Sequence, residues 1–401
     1  MTVLRVAERA LAAGFSPATP SAGAVFLHAG WRSCGTWLWA TLRDSETVRA
    51  FYEPLHEDLA RLDRAAIGAF SPGSWGSGHG PGAPYFAEFA GVLNQGGRGV
   101  AGYHPRFAFD DFFAAPDRAD PALEAYVTDL LQHAAAEGRL PVLKFCRSLG
   151  RVPWFERHFP TAFHAVIVRD PWAQWRSARA QLERDKNRYF VLAPFVILAR
   201  NTHDPLMAAA LAHLRVRLPP HLGRDLGLTT SVCWHHIKHL GWADRYRGFL
   251  AFWTASNIAA LSGEALAIDA DALSTDDEHR TAVQDAMSAA AGLPLSLVPR
   301  PDADTPPPSE RDDATEAARA ASDALAFLNT QRHRLTPPRA RLLEQKLLAH
   351  AGGAAPHETP IAPIEPRAPA YAAAVAYVAA TRMLYPLRRA HYHVDRWLKR
   401  G

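Results

Sequence analysis

Five short apolar runs limit what this chain can fold into, and three of them lead through a turn into a helical pattern. They span residues 24–28, 48–52, 140–145, 163–169 and 265–268. Apolar runs of that length are buried on both faces, as strands of a parallel sheet are. Strands that alternate with helices predict an α/β fold, a P-loop-like central parallel sheet flanked by helices. Ligands in such folds sit beyond the carboxyl ends of the strands. The residues that follow each run are therefore the ones to read for chemistry.

The rest of the chain arranges itself around that core. With 401 residues, 48% of them apolar, it can bury one large core and carry an appendage. Residues 1–22 read as an N-terminal extension and 23–298 as the main domain. Within it, residues 70–110 are rich in glycine, proline and aromatics and predict a surface excursion that faces substrate. A proline- and aspartate-rich linker at 299–313 leads into a helical C-terminal extension, 314–401, with helical patterns at 314–331, at 338–350 and from about Tyr371.

Charge and cysteine usage exclude several classes. The formal net charge is +4, from 44 basic and 40 acidic residues, so nucleic acid is not an expected partner. Cys34, Cys146 and Cys233 form an odd set without paired spacing, which fits a reducing, cytoplasmic setting. Residues 1–23 carry Arg5, Glu8 and Arg9 where a signal peptide needs an apolar stretch. No apolar run reaches the roughly 20 residues that cross a bilayer. The basic, aromatic stretch 382–400, interrupted by Pro386, can lie peripherally on an anionic membrane or dock on a partner.

Two segments carry the chemistry. The first is Gly30-Trp31-Arg32-Ser33-Cys34-Gly35-Thr36-Trp37, between the first strand and a helix. Backbone N–H groups at a helix N-terminus bind phosphate. The glycine spacing is that of a nucleoside-triphosphatase loop, but Thr36 stands where its lysine would be and Trp37 where its Mg²⁺-binding hydroxyl would be. Such a loop lacks the handles for a γ-phosphate and a metal, yet can grip a 5′-phosphate whose charge Arg32 meets. The alternative is an ordinary tight turn with incidental glycines. The second segment places Arg169 at the end of a strand and Ser177 two helical turns later, a fork and a hydroxyl suited to a monophosphate. Alone, an Arg capping a neighbouring carboxylate, with Ser177 an exposed helix residue, is the better explanation.

Together the two segments resemble the PAPS-dependent sulfotransferase superfamily, whose donor is 3′-phosphoadenosine 5′-phosphosulfate. Residues 31–38 stand where that family has its 5′-phosphosulfate loop, and Arg169 with Ser177 reproduces the spacing of its 3′-phosphate motif. Glu53 and Lys144 fall where the protein-tyrosine branch has an acidic residue and a lysine. Trp31 replaces the usual proline, Cys34-Gly35 replaces the usual Gly-Thr, and the C-terminal Arg-Lys-Gly clamp of cytosolic animal enzymes is not evident. The resemblance covers about residues 24–275.

It implies in-line sulfuryl transfer from PAPS to an acceptor hydroxyl, with PAP (3′-phosphoadenosine 5′-phosphate) as product and no metal. Arg32, Ser33, Cys34, Gly35 and Thr36 would hold the 5′-phosphosulfate, Trp37 would stack on adenine, and Arg169 and Ser177 would hold the 3′-phosphate. Lys144 would neutralise the leaving 5′-phosphate. A hydroxyl acceptor needs a general base; Glu53 is the first candidate, His56 the second and His104 the third. Arg147 and Arg151 are candidates to reach the acceptor, or equally to cap a helix. Aromatic residues of the excursion, among them Trp75, Tyr85, Phe86 and Tyr103, together with Trp154 and Trp172, can stack on sugar rings and favour a carbohydrate or glycolipid acceptor in a bacterial setting. The same aromatics can equally fill core. A phenolic or other small-metabolite hydroxyl is the alternative acceptor. A Mg²⁺-dependent P-loop kinase and an inactive nucleotide- or glycan-binding protein are the alternatives of another class. His235 and His239, at i and i+4, have metal-ligand spacing but no third ligand.

Overall fold

The computed structural model describes residues 22–72, 82–219, 225–299 and 314–357. Five strands form one sheet: β1 (Ala24–Ala29), β2 (Val48–Tyr52), β3 (Leu140–Phe145), β4 (Ala162–Val168) and β5 (Leu266–Asp269). Their order is β2-β3-β1-β4-β5, and every pair is parallel. β1 is central, with Phe26 opposite Leu143 on one side and His164 on the other, and all six of its residues are buried. That is why residues 24–28 read as an unbroken apolar run.

β1, β3 and β4 are buried on both faces, edge strand β5 only in part, and the sheet feeds two cores. Phe163, Ala165 and Ile167 of β4 enter one, and Val166 and Val168 enter the other. This period of two is what a pleated strand between two helical layers requires. The one polar residue in β1 is satisfied internally. His28 shares one hydrogen bond with Ser148 Oγ (2.8 Å) and another with His164 Nδ1 (3.2 Å). Burial pushes both imidazoles down, His164 to about 4, so the pair sits neutral in the core.

Seven helices matter below: α1 (Gly35–Arg43), α2 (Pro121–Ala136), α3 (Pro171–Asp185), α4 (Tyr189–Arg200), α5 (Trp242–Ala260), α6 (Ala314–Thr330) and α7 (Pro337–Ala351). Proline at the first turn with a capping aspartate explains two of the starts. Asp120 accepts from Leu123 N before α2, and Asp170 from Ala173 N before α3. α5 is buried along most of its length because α4 and α6 cover it. The hairpin is thus part of the main core. Ala324, Phe327, Leu343 and Leu347 are fully buried, and Arg247 of α5 donates to Asp323 at 2.6 Å.

The excursion departs from its sequence reading. Tyr85, Phe86, Phe89 and Phe107 are buried, and Phe89 packs on Phe51 of edge strand β2, ring centroids 5.2 Å apart. Covering an edge strand shields its apolar face, so Phe86, Phe89 and Phe107 went to core, while Tyr85, stacked on Tyr52, also reaches a cavity. Trp154 is 1% exposed and fills core as well. Trp75 and the stretch 382–400 lie outside the described residues. No helix among the described residues is long and apolar enough to cross a membrane.

Candidate active site

At the carboxyl ends of β1, β2, β3 and β4 lies a cavity of about 1120 Å³. Its floor is the loop from Gly30 to Gly35. Arg32 and Cys34 both adopt the left-handed conformation, with φ of 63° and 70°. Two non-glycine residues held there turn the backbone into a tight curl ahead of α1, the kind of concavity that binds anions. Ser33 steadies it by donating to Gly30 O at 2.6 Å. Gly35 is required by close packing: a Cβ there would sit 2.7 Å from Ala29 Cβ and 3.2 Å from Lys144 Cε. The Lys144 stem therefore passes directly beneath the loop. Thr36 Oγ1 shares a hydrogen bond with the Tyr52 hydroxyl (3.2 Å), and Trp37 lines the cavity wall.

The second segment meets the first. Arg32 Nε donates to Ser177 Oγ at 2.9 Å, and Arg169 Nη1 donates to the backbone carbonyl of Arg32 at 2.7 Å. The two segments, 137 residues apart between Arg32 and Arg169, form one continuous surface. Arg169 is placed by β4 and by Gln174, whose side-chain amide donates to Arg169 O at 2.9 Å.

The opposite wall is a closed ionic network. Glu53 follows β2 with φ 49° and is 3% exposed. Lys144 Nζ donates to its Oε1 (2.5 Å), and Arg147 Nη1 and Cys146 N donate to its Oε2 (both 2.9 Å). Arg147 also donates to Glu57 Oε2 at 2.6 Å and meets the Tyr189 hydroxyl. Burial opposes ionisation of Glu53, but Lys144 and Arg147 outweigh it and hold the carboxyl down at about 2. Burial also pushes the Cys146 thiol up to about 12, so it serves Lys144 as a neutral acceptor at 2.9 Å.

The remaining candidates separate by position. His56 lines the cavity, and its Nδ1 accepts from Asp58 N at 3.2 Å, so the ring caps the short helix Glu57–Ala60. Burial lowers its pKa, which leaves a neutral ring with the proton on Nε2. His104 does not line the cavity; its Nδ1 accepts from Arg106 N at the exposed start of Arg106–Phe109. Arg151 is likewise absent from the cavity wall, 2% exposed, with Nη2 turned to the carbonyls of Phe107 and Arg147. A buried arginine that meets no carboxylate at hydrogen-bonding distance satisfies backbone carbonyls, and the sequence carries no sign of which course it takes.

Arg147 has a larger part than its sequence suggested, since it joins Glu53 to Glu57. Tyr189 and Phe190, at the start of α4, close the cavity opposite the loop; Arg32 lies 5.2 Å from the Phe190 ring centroid. Sequence reasoning missed both, because no motif marks an aromatic that approaches from a separate helix. Of the aromatics expected to stack on sugars, Tyr85 lines the cavity, joined by Trp31, Trp37, Trp39, Tyr52 and Tyr189. The His235 and His239 rings meet edge to face, centroids 5.1 Å apart, and among the described residues no group of three or more His, Cys, Asp or Glu could hold a metal. No family model, curated protein or solved structure matches this chain.

Proposed function

We propose that the chain is a PAPS-dependent sulfotransferase with a phosphate-binding loop like that of P-loop proteins, acting in the cytoplasm on an acceptor hydroxyl. The observation that carries this reading is the direct contact of Arg32 with Arg169, both lining one cavity, and with Ser177 behind that wall. Two cationic anchors on neighbouring strand ends, each donating to a neutral oxygen, suit a nucleotide with phosphates at two positions. The cytoplasm is the compartment that the three free thiols fit.

In this reading the Gly30–Gly35 curl and Arg32 take the 5′-phosphosulfate, Trp37 lies against adenine, and Arg169 with Ser177 takes the 3′-phosphate. Lys144, beneath the loop, is drawn from Glu53 toward the new anion. Glu53 then keeps Arg147 but loses the nearer of its two cations, and its pKa rises from about 2 toward the range where a carboxylate can accept a proton. The acceptor oxygen forms its bond to sulfur as the bond from sulfur to the 5′-phosphate oxygen breaks. The hydroxyl proton passes to Glu53, and Lys144 offsets the charge left on the phosphate. His56, whose Nε2 carries the proton, is assigned to donating a hydrogen bond to the acceptor.

Tyr85, Tyr189 and Phe190 give the cavity aromatic walls apart from Trp37, and the carboxylates of Glu57 and Asp58 line it as acceptors for hydroxyl groups. A sugar ring matches both, so a carbohydrate or glycolipid is the favoured acceptor, with a phenolic or other small-metabolite hydroxyl as the competing one. The test is transfer of labelled sulfate from PAPS to a panel of glycans and phenols in chelator. Label on a glycan supports the full reading, label on a phenol moves the acceptor, and no transfer to any member ends it.

A further inference from the structure

The α6–α7 hairpin reaches the strand ends that carry Arg169. Lys346 of α7 donates to Asp269 Oδ1 and to Asp271 Oδ2, both at 2.6 Å. The same Asp271 oxygen accepts from Asp170 N at 2.7 Å. One turn further along α7, His350 Nε2 meets Asp170 Oδ2. The hairpin therefore grips both acidic residues that flank the second anchor.

Asp271 is also a rival for that anchor. Its Oδ1 lies 3.7 Å from Arg169 Nε, too far for a hydrogen bond but near enough to become one by a small rotation. A carboxylate and a phosphate compete for the same guanidinium fork. Lys346 is 11% exposed, Arg169 12% and Asp271 36%, so the contest takes place under partial burial, where screening is weak. The Lys346 ammonium occupies Asp271 from the far side and offsets its charge. Without it, only the Asp170 N–H would still hold Asp271 Oδ2, and the carboxylate could turn onto Arg169.

We propose that Lys346 is a positioning residue that keeps Arg169 available to a phosphate-bearing ligand by holding Asp271 back, which makes the C-terminal hairpin part of the nucleotide site. This rests on the assignment of Arg169 to a phosphate. It explains why a helical extension far along the chain ends on strand ends instead of on the outer face of a helix layer.

The test is calorimetric titration of the full chain with PAP and, separately, with pyrophosphate, both without metal. Lys346→Met should weaken both ligands about tenfold, the scale of one charge-assisted hydrogen bond, while Lys346→Arg should stay near the parent. Adding Asp271→Asn to Lys346→Met should restore binding, a recovery that a purely structural role for Lys346 would not give. Equal affinity of the parent and Lys346→Met overturns the proposal, as does a double variant no better than Lys346→Met. If Lys346→Met does not fold, Asp271→Asn alone decides: tighter binding than the parent supports the proposal and weaker binding overturns it. A parent that binds pyrophosphate but not PAP removes the sulfotransferase reading and leaves this cycle to be scored on pyrophosphate. A parent that binds neither ligand overturns both.

Discussion

The two ends of the cavity hold similar charges in opposite ways. At the ends of β2 and β3, Glu53, Lys144, Arg147 and Glu57 satisfy one another in a network whose Lys144, Arg147 and Glu53 side chains are 0–3% exposed. At the ends of β1 and β4, Arg32 donates to the Ser177 hydroxyl and Arg169 to the Arg32 carbonyl, with the Asp271 carboxylate standing off 3.7 Å from Arg169 Nε. A closed network stabilises a fold and resists change. A guanidinium that no carboxylate holds at hydrogen-bonding distance, as at Arg169, can still take an incoming anion. The first region is therefore where stability should reside, and the second is where affinity should.

The contrast breaks most sharply at Arg147. Replacing it with Met strands Glu53 and Glu57 without their shared cation, and losing one partner of a buried pair costs roughly 3–5 kcal/mol. Urea unfolding should register that loss; a change under about 1 kcal/mol would place the network on the surface in energetic terms. Arg169→Met should do the reverse. Its unfolding midpoint should stay near the parent, while PAP affinity falls about 10- to 100-fold, the worth of a charged hydrogen bond pair.

Acid sharpens the difference. The folded pKa of Glu53, about 2, lies below its ordinary 4.5. Its contribution to stability is present above 4.5 and is lost as pH falls toward 2. Glu53→Gln should flatten the stability curve across that window, and Arg169→Met should leave the curve unchanged in slope. The smallest effect belongs to Ser177→Ala, which removes one neutral hydroxyl and should weaken PAP about 2- to 10-fold. No loss at all would mean that Ser177 neither touches the 3′-phosphate nor steadies Arg32 for it.

Much of this architecture is legible in the residues alone. Each of the five apolar runs forms a strand within a residue or two of its expected limits, and in β1, β3 and β4 burial on both faces is what leaves an unbroken apolar signal. The pairing of the Gly30–Gly35 loop with Arg169 and Ser177 follows from their places after two strands that prove adjacent. Other parts are hidden for a physical reason. Arg147 and Arg151 look alike in sequence, four residues apart, yet one faces two carboxylates and the other two carbonyls. The excursion aromatics carry no period that separates a core filler from a ligand platform. Lys346 acts on residues some 75 positions earlier, and no local pattern records such a partnership.

The central claim is that the Arg32 and Arg169 anchors serve one bisphosphorylated adenosine. Thermal unfolding of the chain with PAP, ATP and ATP–Mg²⁺ tests it most directly, since a ligand that binds only the folded state must raise the melting temperature. The expected result is a rise with PAP in the presence of chelator that exceeds the rise with either form of ATP. Stabilisation by ATP–Mg²⁺ with none by PAP would contradict it.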